Sequence, residues 1–165
     1  MWLSTSVSIS VDALGQKNPD GRVTLDPIYT NTRTHLASGN GANQADQSWG
    51  DTRVLAEGAS ETIDFVGLID AFGDVFTFAR IKVLRIKNTI SSGMATLRVG
   101  NGSWTDMFQS SMDVPPQGEF CAVCPVSGGW PVAGGGSTLQ MLHRGSTLSG
   151  TYNLTYEITA VGSTL

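Results

Sequence analysis

Hydrophobic and polar residues alternate from the start of the chain. Val7, Ile9, Val11 and Ala13 share one side of an extended segment, and Ser6, Ser8 and Ser10 share the other. The tetrapeptide 18-NPDG-21 follows, where proline sets one backbone angle and glycine frees another, and then comes 22-RVTLDPI-28. This pattern predicts a β-hairpin over residues 1–28. A hairpin alone is marginal in water, so its apolar side is expected to rest on another body.

Residues 29–48, YTNTRTHLASGNGANQADQS, lose the alternation and are dense in Asn, Thr, Ser and Gly. They are expected to form a polar linker or an arm that orders against a partner, a floppy surface loop being the plainer alternative. From Trp49 onward, strand patterns recur at 52–56, 61–66, 75–88, 95–99, 104–108, 119–123, 137–143 and 151–161. Turn signals such as Asn101-Gly102 and Pro115-Pro116-Gln117-Gly118 separate them. The prediction for residues 49–165 is therefore an all-β, antiparallel sandwich of the jelly-roll kind. A single helical turn is expected around 66-VGLIDAFG-73, ended by Gly73.

The segment 75-VFTFARIKVLRIKN-88 resists a simple alternation, because Arg80 and Lys82 interrupt the side shared by Phe76, Phe78, Leu84 and Ile86. A one-residue bulge near Ala79-Arg80 would gather Phe76, Phe78, Ile81 and Val83 on one side and turn Leu84 and Ile86 toward a second layer. Both sides of this strand are thus expected to be used.

Composition narrows the function classes. The chain has 165 residues and 20 glycines, with a net charge of −4, which lacks the basic excess of a general nucleic-acid binder. The opening MWLSTSVSISV has no positive leader and no continuous apolar run, and no window approaches a membrane span. A soluble product made in a cytoplasm is expected, with neither nucleic acid nor membrane as partner. Cys121 and Cys124 would point in opposite directions along a strand, so buried structural thiols are expected in place of a disulfide or a zinc pair. No serine sits in a G-x-S-x-G elbow, 39-GNGANQ-44 and 134-GGGSTL-139 miss the phosphate-loop patterns, and His143 reads as a turn residue. The expectation is a protein without catalytic residues, cofactor or metal.

Charge is segregated. Between Asp46 and Asp74 lie seven acids and one base, Arg53, while between Arg80 and Arg98 lie five bases and no acid. Either the two blocks are neighbouring strands that pair across one sheet, or the acidic block of one subunit meets the basic block of another and sets the register of an oligomer.

The stretch 49-WGDTRVLAEGASETIDF-65 followed by 70-DAFGDVFTFARIKVL-84, with 99-VGNG-102 and 115-PPQGEF-120 behind it, is similar to proteins encoded among the head and structural genes of tailed bacteriophages. The similarity runs from about Gly41 to the C-terminus. It implies a virion structural protein, a capsid decoration or cement protein with a jelly-roll fold, clustered as homotrimers on the shell. The implied partner is the major capsid protein, and no catalytic or cofactor residue comes with the resemblance. The residues expected at subunit or capsid contacts are Val7, Ile9, Val11, Arg33, His35, Trp49, Arg80, Lys82, Arg85 and Lys87. A rival expectation is a fibre or receptor-binding module that stacks host glycan on Trp2, Trp49, Trp104 or Trp130.

Overall fold

The computed structural model describes residues 5–17, 24–70, 72–91, 95–132, 136–145 and 152–164, and only the backbone pairing of residues 5, 9–17 and 24–32. In chain order the strands are β1 (Thr5–Lys17), β2 (Thr24–Ser38), β3 (Gln44–Ala45), β4 (Gln47–Leu55), β5 (Ser60–Asp64), β6 (Leu68–Ile69) and β7 (Val75–Phe76). They continue as β8 (Arg80–Asn88), β9 (Leu97–Gly100), β10 (Met112–Val114), β11 (Glu119–Val123), β12 (Trp130–Pro131), β13 (Thr138–His143) and β14 (Leu154–Ser163). No helix occurs among the described residues.

Two antiparallel sheets pack face to face. The first has the order β11-β8-β14-β4, with β12 also beside β8, and the second has the order β10-β9-β13-β5. Leu84, Ile86, Tyr156, Ile158 and Ala160 of the first sheet meet Ile63, Leu97, Val99, Leu139 and Met141 of the second in one buried cluster. Phe65 anchors an aromatic group within it, with its ring edge-on to Trp104 at 5.1 Å, Phe78 at 6.4 Å and Trp49 at 6.5 Å between centroids. The alternation of β14 explains its place: Leu154, Tyr156, Ile158 and Ala160 are buried, while Thr155, Glu157 and Thr159 sit on the wetter side.

The predicted strand over 75–88 is interrupted, because β7 ends at Phe76 and β8 begins at Arg80. Its bulge lies two residues beyond the expected Ala79-Arg80 position. Val161 pairs with Val83 and Gly162 with Ile81, so Lys82 has no opposite residue in β14. Phe76, Phe78, Ile81, Leu84 and Ile86 consequently enter the main core, and Val83 turns to a second cluster with Leu36, Ala45 and Val161. The expected grouping of Val83 with the phenylalanines, and of Leu84 and Ile86 with a second layer, is reversed. Gly162 sets the bulge, since a Cβ there would overlap the Arg80 carbonyl oxygen and come within 3.0 Å of Ile81 Cα.

Three other expectations change. Residues 104–108 form a turn, with the Phe108 amide donating to the Trp104 carbonyl at 3.3 Å, and a residue spacing of one helical turn sends both rings into the core. The described residues between 66 and 73 make no helical turn; β6 and β7 form a small hairpin, with Gly73 at φ +89°. The hairpin over 1–28 is longer than read, because β2 runs to Ser38 and Thr5 pairs with Leu36. The expected polar arm is thus part strand (29–38), part turn (39–43), with β3 and the start of β4 beyond. The turn expected at 18-NPDG-21 lies outside the described residues.

Candidate interaction surface

The outer face of the first sheet receives the root of the β1–β2 hairpin. Leu36 and Ala45 are fully buried against Val83 and Val161, and Val7 and Val123 pack around them. Parallel pairing of Ala37 with Gln44 and Ser38 with Ala45 ties β2 to β3. The turn between them is held by three backbone bonds, from the amides of Ala37 to Asn43 (2.8 Å), Gly39 to Ala45 (3.1 Å) and Asn43 to Pro125 (2.7 Å). Asn43 sits at φ +54°, a conformation that asparagine tolerates better than most residues.

Lys82 locks this root in place. The bulge turns it to the side of Val83, where it has no exposed surface and its Nζ donates to the carbonyl oxygens of Gln44 (2.6 Å), Asn40 (3.4 Å) and Gly41. Burial pushes its ammonium below the usual lysine value; the Arg80 charge adds to this, and Asp46 and Cys124 oppose it. A buried cation is costly unless every proton finds an acceptor, and the 40–44 turn supplies three backbone oxygens to one ammonium.

Beyond the hairpin root the same face carries charges that pair within the chain. The Arg85 guanidinium grips Glu119 with two bonds of 2.8 and 3.0 Å and reaches Glu157 at 3.3 Å. Lys87 stands in register between Glu119 and Glu157. Bonding to Arg85 holds the Glu119 carboxyl below its ordinary value, with Lys87 contributing less. The unfolded chain therefore takes up this proton first. The contribution of Glu119 to stability is complete above pH 4.5, its ordinary value, and is lost as pH falls through the depressed folded value. Glu119→Gln is expected to cost at most about 1 kcal/mol at neutral pH, since the pair is partly solvated, and nothing in strong acid. Urea midpoints at pH 7 and pH 3 measure this, and an equal loss at both would refute it.

Apart from Asp46, whose charge acts on Lys82, the paired charges of the two blocks mostly find their partners outside the opposite block. Arg53 serves the acidic block, at 2.9 Å from Asp51 and 2.7 Å from Glu61, while Glu61 also accepts from the Tyr156 hydroxyl at 2.8 Å. Arg98 pairs with Asp113 at 2.8 Å, which Arg144 also reaches at 3.0 Å. Within the first sheet β14 separates β8 from β4, so pairing between the blocks as neighbouring strands does not arise.

The residues expected at contacts separate accordingly. Trp49 is in the core and Lys82 is enclosed by its own chain, so neither side chain is available to a partner. Arg85 is saturated by two carboxylates, and Val7 covers the hairpin root. Arg33 is exposed and donates to Ser6 at 3.1 Å across the hairpin, and His35 is exposed opposite Ser6. Arg80 is half-buried and donates to the Ser127 carbonyl at 3.0 Å. Ile9 and Val11 lie on β1, and their side chains are outside the described residues. Cys121 and Cys124 are free and half-buried, and burial raises the Cys121 thiol.

Two exposed apolar features leave no mark in the alternation of the chain. Ile69, Phe72 and Val75 are 61, 77 and 71% exposed at the β6–β7 tip, and Val126 is 56% exposed beyond β11. At the tip the Asp70 Oδ1 accepts from the amides of Phe72 (2.8 Å) and Asp74 (2.9 Å). The sequence expectation here is a single helical turn, which says nothing of exposure; the apolar side chains stand out because β6 and β7 form a short hairpin. No family model, curated protein or solved structure matches this chain.

Proposed function

We propose that this chain is a non-enzymatic virion structural protein, a decoration or cement protein that binds the outside of an assembled capsid shell as a homotrimer. The observation that carries the reading is the β1–β2 ribbon. Thirteen residue pairs run from Thr5–Leu36 to Lys17–Thr24, a length of about 40 Å. Among the described residues its only further strand pairing is at Ala37 and Ser38. Such a ribbon, tied down at one end, has edges and faces that call for a neighbouring surface, and the major capsid protein and adjacent copies would supply it. A protein that binds the assembled shell and not its separate subunits stabilises it by mass action.

The jelly-roll part of the reading is supported by strand order. Along β4, β5, β8, β9, β10, β11, β13 and β14, every step except β9 to β10 crosses from one sheet to the other. The glycan-binding alternative finds less support at Trp49 and Trp104, which are buried, and at Trp130, which is half-buried, while Trp2 lies outside the described residues.

The test shortens the ribbon without disturbing its root. Ser8 and Arg33 are paired, so a two-residue Asn-Gly turn joining them removes residues 9–32 and keeps Val7, Leu36 and the Lys82 cage. The shortened protein is expected to keep its β circular dichroism but to lose at least tenfold in co-sedimentation with undecorated shells of the phage encoding it. Undiminished co-sedimentation would overturn the ribbon's role, and no co-sedimentation of the full chain would overturn the shell reading.

A further inference from the structure

The first sheet ends in two unlike apolar patches. At its β4 edge stands the β6–β7 tip, since Ile69 and Asp70 line one shallow depression with Ser48, Trp49, Gly50 and Thr159. The tip presents Ile69, Phe72 and Val75 with Asp70 and Asp74 among them, and the segment from Asp64 to Val75 contains no base. At the opposite edge, where β11 and β12 flank β8, Val126 and Pro131 are exposed, Trp130 is half-buried, and the Arg80 guanidinium is tied to the Ser127 carbonyl. One patch is apolar and acidic. The other is apolar and basic.

Apolar side chains exposed together on a soluble protein mark a contact site more often than chance exposure. Carboxylates beside the tip make an anionic lipid surface or a nucleic acid an unsuitable occupant. The depressions along β4 contain Asp51, Glu157 and Asp70, so an acidic tip would not seat there on a second copy. The Arg80 edge has the matching sign, and Trp130 offers Phe72 an aromatic neighbour.

We infer that the β6–β7 tip of one copy docks on the Val126–Trp130–Arg80 edge of a second copy. The two patches differ, so the contact is head-to-tail, and each copy keeps one patch open for the next. Rotation that closes after a few copies gives a ring. The inference rests on the reading of the chain as an oligomeric shell protein and names the surfaces through which it assembles. It also gives Asp74 and Arg80 a charge pairing between copies, neither having an ion pair with another of the described residues.

The test measures the mass of the full chain in solution by sedimentation and light scattering. Wild type is expected as a closed multimer, and Phe72→Glu and Arg80→Glu each as a single chain. An equimolar mixture of the two variants is expected to give a two-chain species, because the first still carries an intact edge and the second an intact tip. Should either variant lose its β circular dichroism, Phe72→Ser and Val126→Glu replace them, both at exposed positions. A single-chain mass for wild type, a wild-type mass for either variant, or a mixture that stays single-chain each overturns the inference. Shell binding by a single-chain wild type would sink the head-to-tail contact and leave the shell reading intact. A closed ring that ignores shells would do the reverse.

Discussion

Replacing Gly162 with alanine is expected to cost about 3 kcal/mol or more, at the upper end of what overpacking does in a close-packed core. A methyl group there would overlap the Arg80 carbonyl oxygen and lie 3.0 Å from both Ile81 Cα and Phe78 Cδ1. None of these atoms can yield alone. Arg80 and Ile81 are backbone neighbours in β8, and Phe78 is held edge-on to Phe65 and Phe76. Relief would require β14 to move off β8 at the bulge, which would also displace Lys82. Gly128→Ala is the control, because a Cβ there meets nothing within 4 Å. Urea unfolding of both variants decides the matter; equal midpoints would show that the close approach at Gly162 carries no such constraint.

Lys82→Met is expected to destabilise the protein by about 2 to 3 kcal/mol, the cost of leaving buried carbonyl groups without donors. Methionine fills similar volume, so the loss would report the ammonium and its bonds to Asn40, Gly41 and Gln44 more than packing. Loss should be local first. Amide exchange is expected to quicken at Gly39 and Asn43, whose backbone bonds hold the 39–45 turn, while amides of β13 and β14 keep their protection. Unchanged exchange in the turn would show that the Leu36–Ala45–Val83–Val161 contact holds the ribbon root without Lys82.

The readings that succeeded share a cause. β14 and β11 were legible because β14 buries one side and wets the other and because 119–123 is bounded by a Pro-Gly turn, both local signals. The all-β class and sandwich followed from many such segments separated by turn residues. Residues 29–38 were not legible as strand, because a ribbon held by backbone hydrogen bonds needs no apolar period. Trp104 and Phe108 misled for the opposite reason: apolar residues in a turn look like a short strand until the core they fill is known. Among the expected contact residues, Arg33, His35 and Arg80 keep surface to offer, while Trp49 and Lys82 do not.

Sequence alone determined the class of fold, the position of most strands and the use of both sides of the segment from Phe76 to Ile86, because burial on alternate sides leaves a period in the chain; where the bulge falls was left to the fold. The tertiary structure alone decided where the basic residues of that segment go. Arg85 meets carboxylates 34 and 72 residues away, and Lys82 is enclosed by carbonyl groups about 40 residues before it. A cation that ends among backbone oxygens carries no mark in the sequence, since every residue has a carbonyl group and only the folded chain chooses which three surround it.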